Sequence, residues 1–150
     1  MILKDKDLSK YQNKLILVDG CFDPIHAGHI DYFRFSAGLG HPLLCNLEND
    51  CYIRDFKKRE PFLPEKQRLV ILDSIKFINF VHLQTAATYS VLNNLKPLIF
   101  VKGADWKKKK LPSDELKICQ RIGIKIIYMK KNLDSSTRIL EKYNFNLNKK

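Results

Sequence analysis

Two histidines three positions apart are the clearest sign of chemistry in this sequence. His26 and His29 belong to the stretch His-Ala-Gly-His at residues 26–29. Side chains at positions i and i+3 share one side of a helical turn, and an imidazole can donate a strong hydrogen bond to a phosphate oxygen near neutral pH. The pair therefore predicts a site for a phosphorylated ligand.

The residues around the histidines predict the elements that must position them. Residues 14–18 are a short apolar run typical of a buried strand, and residues 30–35 continue with helical spacing of apolar side chains. The first turn of a helix presents backbone N–H groups and the positive end of the helix dipole, which stabilise anions. Gly20 and Gly28 let the backbone approach a ligand closely.

Strands and helices are predicted to alternate along the rest of the chain. Strands are predicted at residues 43–47, 80–83, 97–101 and 124–128, and helices at residues 30–40, 64–72, 88–95 and 113–123, with residues 113–115 as a cap. A last helix is predicted to begin from a cap at residues 134–137, and residues 54–60 are interpreted as a mobile basic loop. The short spacing predicts an α/β fold: a Rossmann-like, doubly wound sheet of about five parallel strands with helices on both faces.

One domain is expected over residues 1–150, with its core at about residues 14–140 and a polar, frayed tail at residues 144–150. Ligands of such sheets bind beyond the carboxyl ends of the strands. The histidine loop, residues 102–105 and residues 135–137 all follow predicted strands. We therefore expect these three segments to converge at one edge of the sheet.

Composition restricts the class of protein. The formal net charge of +11 favours an anionic partner, although the lysines outside the predicted loops are also typical of a surface that only keeps a protein in solution. No apolar run is long enough to span a membrane, and the N-terminus lacks the apolar segment of a signal peptide. The four cysteines, at positions 21, 45, 51 and 119, form no CxxC pair, so reduced thiols and a cytoplasmic location are expected.

Four stretches together resemble the cytidylyltransferase-like nucleotidyltransferases that carry an HxGH signature. They are residues 20–23, 26–29, 102–106 and 135–137, and they occur in the family's order within about residues 15–140. The resemblance is strongest to the adenylyltransferase domain of ADP-heptose synthases and to glycerol-3-phosphate cytidylyltransferases. It implies transfer of a nucleoside monophosphate from ATP or CTP to a small phosphorylated substrate such as a sugar phosphate, with release of pyrophosphate. It also implies Mg²⁺ carried by the nucleotide, no prosthetic group and a homodimer.

The resemblance also implies roles for individual residues. His26 and His29 are expected to be catalytic and to grip the phosphates, with Lys57 or Lys58 as a mobile lysine that closes over them. The expected nucleotide-binding residues are Gly20, Cys21, Phe22, Asp23, Gly28, Arg68, Lys102, Gly103, Asp105, Ser135, Ser136 and Thr137. The expected substrate-binding residues are Trp106 and Lys130. Cys21 stands where the family more commonly has threonine or valine, and Lys130 stands where the glycerol-3-phosphate enzymes carry arginine.

Other interpretations of these residues stay open at this point. His26, His29 and Cys21 could ligate zinc, but no further well-placed ligand is apparent. Asp23 could orient the loop or bind a metal, and the first is favoured. Residues 135–137 could be only a helix cap, since capping and phosphate binding use the same geometry.

Three further side chains have two interpretations each. Trp106 could be a core anchor or a stacking wall. His41 and His82 are expected to be surface or packing residues. The lysine run at residues 107–110 could be a solvated face or a ligand clamp, and the solvated face is favoured.

Three alternative functions also remain. A CTP-dependent enzyme could act on glycerol 3-phosphate or on another alditol phosphate or phosphonate. A basic nucleic-acid-binding module would bind with salt-sensitive affinity and turn over no nucleotide. A nucleotide sensor would bind the nucleotide without releasing pyrophosphate. Nucleic acid is the less favoured partner, because histidines and hydroxyl groups cluster at predicted helix starts. No membrane partner is expected.

Overall fold

A computed structural model describes residues 1–131 and 135–143 of the chain. Asp134, predicted to help cap the last helix, and the tail at residues 144–150 lie outside the described residues. Within the described part, no helix is both long enough and apolar enough to cross a lipid bilayer.

Six strands form one sheet in which every neighbouring pair is parallel. The strands are β1 (Ile2–Leu3), β2 (Ile16–Gly20), β3 (Leu43–Leu47), β4 (Phe80–Leu83), β5 (Ile99–Lys102) and β6 (Lys125–Tyr128). Their order across the sheet is β1-β4-β3-β2-β5-β6, so β2 lies between β3 and β5. The predicted α/β class is confirmed, with one strand more than expected, because β1 adds a two-residue edge strand beside β4.

Seven α-helices and one 3₁₀ helix (Asp5–Tyr11) connect the strands in the described residues. The helices are α1 (Ala27–Ala37), α2 (Asp50–Lys57), α3 (Glu65–Asp73), α4 (Thr88–Leu95), α5 (Trp106–Lys109), α6 (Ser113–Ile122) and α7 (Ser136–Lys142).

Apolar side chains cover both faces of the sheet. On β2, Ile16 and Val18 pack on one face with Phe33 of α1, whereas Leu17 packs on the other face with Leu92 of α4. Parallel sheets are stable when both faces are buried, and their strands then consist of nearly continuous apolar residues. The run at residues 14–18 therefore lies at the centre of the molecule and holds the loop that follows it.

The interpretation of residues 54–60 as a loop is wrong for residues 54–57, which belong to α2. The side-chain oxygen of Asn49 accepts a hydrogen bond from the backbone N–H of Tyr52 at 2.8 Å and caps this helix. Ile53 is the buried residue of the helix, and its charged neighbours conceal the helical period in the sequence. The cap predicted at residues 113–115 is also displaced, because the residue that precedes α6 is Pro112.

Candidate active site

The loop between β2 and α1 opens onto a cavity of about 510 Å³ at the carboxyl edge of the sheet. Phe22 adopts a left-handed backbone conformation (φ 48°), which costs an ordinary residue on the order of 1–2 kcal/mol. Its ring is buried and packs edge-on against the His29 imidazole, with 5.0 Å between centroids, and against Phe33 at 5.1 Å. The aromatic packing holds the loop in this conformation and fixes the position of one histidine ring.

Backbone amides orient both imidazoles. The N–H of Gly28 donates to Nδ1 of His26 at 3.1 Å, and the N–H of His26 donates to Nδ1 of His29 at 3.4 Å. The two rings stack with 3.8 Å between centroids and an interplanar angle of 25°. Because each Nδ1 accepts a hydrogen bond, the proton of a neutral imidazole lies on Nε2. Both side chains line the cavity.

His29 stays uncharged through the physiological range of pH. Burial, with a smaller contribution from the neighbouring His26, lowers the pKa of its imidazole to about 3. A neutral imidazole is a hydrogen-bond donor at Nε2 but does not act as a cation. His29 is therefore suited to hold an oxygen of a phosphate group through a hydrogen bond.

Three hydroxyl-bearing residues join the histidines at the cavity, as predicted for residues 135–137. The side-chain oxygen of Ser135 accepts from the backbone N–H of Arg138 at 3.1 Å and caps α7. The hydroxyl of Ser136 donates to the carbonyl oxygen of Pro24 at 2.9 Å. Ser135, Ser136 and Thr137 all line the cavity. The hydrogen bond to Pro24 joins α7 to the histidine loop across 112 positions of sequence.

The end of β5 forms one side of the cavity. Lys102 donates from Nζ to Oδ1 of Asp19 at 2.6 Å, and both side chains are buried. Burial alone would lower the pKa of Lys102, but the carboxylate of Asp19 outweighs this effect and raises it, so the lysine remains charged. Gly103, Asp105 and Trp106 continue this side of the cavity. Lys102 is thus paired within the protein, although it was expected to contact the nucleotide.

Trp106 fulfils both of the roles that the sequence left open. Its ring packs against the buried cluster beneath α4 and α6, and it also lines the cavity. The ammonium group of Lys102 lies 4.4 Å from the centroid of the ring. Lys109, from the lysine run, also lines the cavity and pairs with Asp105 at 3.3 Å, so the run is not solely a solvated face.

The end of β3 forms the opposite side of the cavity, and most of it was missed in the sequence. Glu48, Tyr52, Lys57 and Arg59 line this wall. Only Lys57 was among the expected site residues. Glu48 directly follows β3, so the same rule that pointed to Lys102 after the predicted strand at residues 97–101 could have found it.

Asp23 holds the segment after α2 against the histidine loop. Its carboxylate accepts from Nη1 of Arg59 at 2.7 Å and from the backbone N–H groups of Phe62 and Leu63 at 2.8 and 2.7 Å. Its backbone oxygen accepts a further bond from Nη2 of Arg59 at 2.9 Å. Of the two roles considered for Asp23, the geometry supports the orienting one.

Arg68 was expected to bind the nucleotide, but the structure places it beneath the cavity. Its side chain is fully buried and is not among the described residues that line the cavity. The guanidinium donates to the carbonyl oxygens of Cys21, Glu48 and Leu63 at 2.6, 2.8 and 2.9 Å, and to Oδ1 of Asp50 at 2.7 Å. Arg68 therefore ties together the loops after β2 and β3 and the start of α3, and it supports the site from beneath.

Two other expected residues also lie away from the cavity in the described part of the chain. Lys58 ends α2 in a left-handed conformation (φ 56°), and Lys130 is exposed after β6; neither lines the cavity. Of the remaining histidines, His41 is exposed, whereas His82 is buried, with its ring nitrogens facing Asn46 and Asp5 at 2.7 and 3.0 Å. Among the described residues, no group of three or more histidine, cysteine or acidic side chains could hold a metal ion.

A family model ties this geometry to known proteins. The model described as "Cytidylyltransferase-like" matches residues 17–143, which include every segment that reaches the cavity. The chain belongs to this family. It carries a nucleotidyltransferase domain, as the resemblance implied.

Individual relatives agree with the family. The chain is 34% identical to the "Bifunctional protein HldE" of Helicobacter pylori (strain HPAG1) over 110 residues, which is 72% of this chain and 24% of that protein. It is 36% identical to the protein of the same name from Campylobacter jejuni subsp. doylei over 110 residues, 72% of this chain and 23% of that protein. The chain thus spans about a quarter of the length of these curated relatives.

A solved structure supports the same grouping. It is a lipopolysaccharide core biosynthesis protein from Thermoplasma volcanium GSS1, with a TM-score of 0.68 and 28% identity. The match covers 81% of this chain and 98% of that one. The two chains therefore share the architecture of nearly the whole domain.

Proposed function

We propose that this domain transfers a nucleoside monophosphate from ATP or CTP to a small phosphorylated acceptor such as a sugar phosphate. Pyrophosphate is the second product. The observation that carries the proposal is the convergence of two amide-oriented imidazoles and three hydroxyl-bearing residues on one cavity. The likeness to a lipopolysaccharide core biosynthesis protein supports a sugar phosphate as the acceptor.

In the proposed reaction, a phosphate oxygen of the acceptor forms a bond to the α-phosphorus of the nucleotide while the bond to the β-phosphate oxygen breaks. The attacking phosphate is already ionised at neutral pH, so no side chain needs to remove a proton. The protein must align the two reactants and stabilise the negative charge that develops on the phosphoryl oxygens and the leaving group. The neutral Nε2–H of His29 and the hydroxyl of Thr137 are suited to these oxygens, and Lys57 can neutralise part of the charge.

Mg²⁺ belongs to the same proposal, with the nucleotide as its main ligand, since Mg²⁺ usually keeps phosphate oxygens and waters around it. When bound, it would neutralise charge on the triphosphate. We expect a homodimer, which light scattering can measure.

The central test is a pyrophosphate-release screen that crosses ATP, CTP, GTP and UTP with phosphorylated sugars and alditols. His29→Ala should then reduce kcat about 100-fold or more for the best pair, because it removes a preorganised donor. His41→Ala, a change at an exposed histidine far from the cavity, is the matched control and should leave kcat unchanged. An unchanged rate in His29→Ala would contradict the proposal. Salt-sensitive binding of RNA or DNA with no turnover of any nucleotide would favour the binding module instead.

A further inference from the structure

One wall of the cavity contains side chains that are not typical ligands of a triphosphate. On the β3 side, Cys21, Glu48 and Tyr52 face the same space as the histidines. Glu48 is acidic, and burial raises the pKa of its carboxyl group, with a further contribution from the charge of Asp19. Lys57, on the same wall, can attract a phosphate, whereas the carboxylate of Glu48 would repel one. The part of the wall at Glu48 therefore suits a part of the substrate that carries no negative charge.

Glu48 is buried and accepts a hydrogen bond from a weak donor. The side chain is 8% exposed. Its Oε2 accepts a hydrogen bond from the thiol of Cys21 at 2.9 Å, and a thiol is a weak donor. Glu48 lines the cavity, so a ligand there can reach its carboxylate. Carboxylates with little exposure are normally satisfied by several donors, and a ligand can supply a stronger donor than the thiol.

A hydroxyl group fits this position better than other ligand groups do. It donates a hydrogen bond to the carboxylate without bringing a charge into the cavity. Burial raises the pKa of Glu48 to about 7, and the charge of Asp19 adds to this effect. The carboxyl group is thus partly protonated near neutral pH. A hydroxyl can both donate and accept, so it is complementary to either form.

The proposed chemistry sets the orientation of the acceptor. Its phosphate must approach the histidines and Lys57, which line the cavity and where the nucleotide phosphates are expected. Its carbon chain then extends along the wall formed by Glu48 and Tyr52. The phenol of Tyr52 offers a second group that can bind a hydroxyl there.

We propose that Glu48, oriented by the thiol of Cys21, selects the acceptor by accepting a hydrogen bond from a hydroxyl of its carbon chain. This inference rests on the proposed function and narrows its acceptor to phosphorylated sugars and polyols. Glu48 is then a specificity-determining residue, and Cys21 is a positioning residue that acts through it.

The first test uses the wild-type chain and so does not depend on how a variant folds. The best acceptor from the pyrophosphate-release screen is compared with its deoxy analogues, each of which lacks one hydroxyl. One analogue should lose about 10-fold or more in kcat/KM, as expected when a charged group loses its hydrogen-bond partner. Equal turnover of every deoxy analogue would overturn the inference.

The second test assigns the lost hydrogen bond to Glu48. The preference is the ratio of kcat/KM for the hydroxyl-bearing acceptor to kcat/KM for that analogue. In Glu48→Ala this ratio should fall to about twofold or less, because a double-mutant cycle shows coupling when the two groups interact. The KM of the nucleotide should stay near its wild-type value. Glu60→Ala removes an exposed carboxylate that pairs with Arg54, and this control should keep the full preference. A preference that survives in Glu48→Ala would overturn the inference.

Cys21 variants separate positioning from overall damage to the loop. Cys21→Ser retains a donor to Glu48 and should keep the preference, whereas Cys21→Ala should weaken it. Release of pyrophosphate by the wild-type chain with no effect of these variants on the preference would refute only this inference. Absence of pyrophosphate release for every pair in the screen would refute the proposed function and this inference together.

Discussion

The two sides of strand β2 build their halves of the cavity in different ways. On the β5 side, the wall comes from one stretch, residues 102–109. On the β3 side, it comes from four separate positions, Glu48, Tyr52, Lys57 and Arg59. Buried arginines hold this second wall together through contacts between distant segments. The first wall is thus contiguous in sequence, with the ion pair between Lys102 and Asp19 as a long-range contact, whereas the second is assembled from separate positions by several tertiary hydrogen bonds.

The largest effect should come from removing the arginine beneath the β3 side. Arg68→Met removes the guanidinium that pairs with Asp50 and that donates to three backbone carbonyl groups. We expect the free energy of unfolding to fall by about 3–5 kcal/mol, as when one partner of a buried ion pair is lost. Urea denaturation followed by circular dichroism measures this change.

Arg34→Met is the matched control, because Arg34 forms an ion pair with Asp31 at the surface. This change should cost about 1 kcal/mol or less. If the free energy of unfolding falls equally in the two variants, the β3 side does not depend on Arg68. The contrast between the two walls would then be wrong.

The next effect distinguishes two adjacent lysines. Lys57 lines the cavity, whereas Lys58 ends α2 outside the described lining. Lys57→Ala should reduce kcat about 100-fold if its ammonium stabilises charge in the transition state. Lys58→Ala should change kcat by about twofold at most, as is usual for a surface residue. Steady-state pyrophosphate release measures both, and the reverse order would assign the phosphate contact to Lys58.

A smaller effect tests whether the β5 side holds the nucleoside. Trp106→Leu keeps an apolar residue over the core but removes the aromatic face at the cavity. The KM of the nucleotide should rise about fivefold, in the range expected for an aromatic contact, while the KM of the acceptor stays the same.

Trp106 is also the single tryptophan of the chain, which allows a measurement on the wild-type protein. Titration with the nucleotide alone should change its fluorescence, and titration with the acceptor alone should not. A response to the acceptor alone would place the acceptor on the β5 side and exchange the roles of the two walls.

The smallest effect concerns Glu115 on α6. Burial raises the pKa of its carboxyl group to about 7, with a further contribution from Asp19, and Oε2 has no hydrogen-bond partner in the described residues. The folded chain then holds this proton more tightly than the unfolded chain. The group therefore destabilises the fold progressively as pH rises from about 4.5 to about 7, and the loss persists above that.

Glu115→Gln removes this penalty. We expect Tm to increase by about 2 °C at pH 8 and to stay the same near pH 4.5, a shift of the size that a fraction of a kcal/mol produces. Differential scanning calorimetry at the two values of pH measures it. Glu141→Gln, an exposed change on α7, should alter Tm equally at both values. An equal shift for Glu115→Gln would contradict the assignment of the penalty to ionisation.

Much of the fold could be predicted because its central elements have strong local patterns. The apolar run before the histidines gave β2, and residues 43–47 and 80–83 match β3 and β4 as observed. β1 has only two residues and no period, so its pairing with β4 leaves no mark in the sequence. Sequence patterns therefore identify the elements whose apolar residues follow a clear local pattern.

The residues of the site also differ in how far they could be predicted from local sequence. The histidine pair, residues 102–106 and residues 135–137 are contiguous and were predicted. The role of Arg68 was not, because its partner Asp50 lies 18 positions away, and the partner of Arg59 lies 36 positions away. Such pairs become visible only when the chain is folded.

The amides that orient His26 and His29 belong to the same short segment as the rings themselves. Many catalytic histidines depend instead on a carboxylate from a distant part of the chain. Residues 20–29 thus contain both imidazoles and the backbone N–H groups that set their tautomers. A chimera that received this segment in place of the first strand-to-helix loop of another parallel sheet would receive both imidazoles together with the amides that orient them.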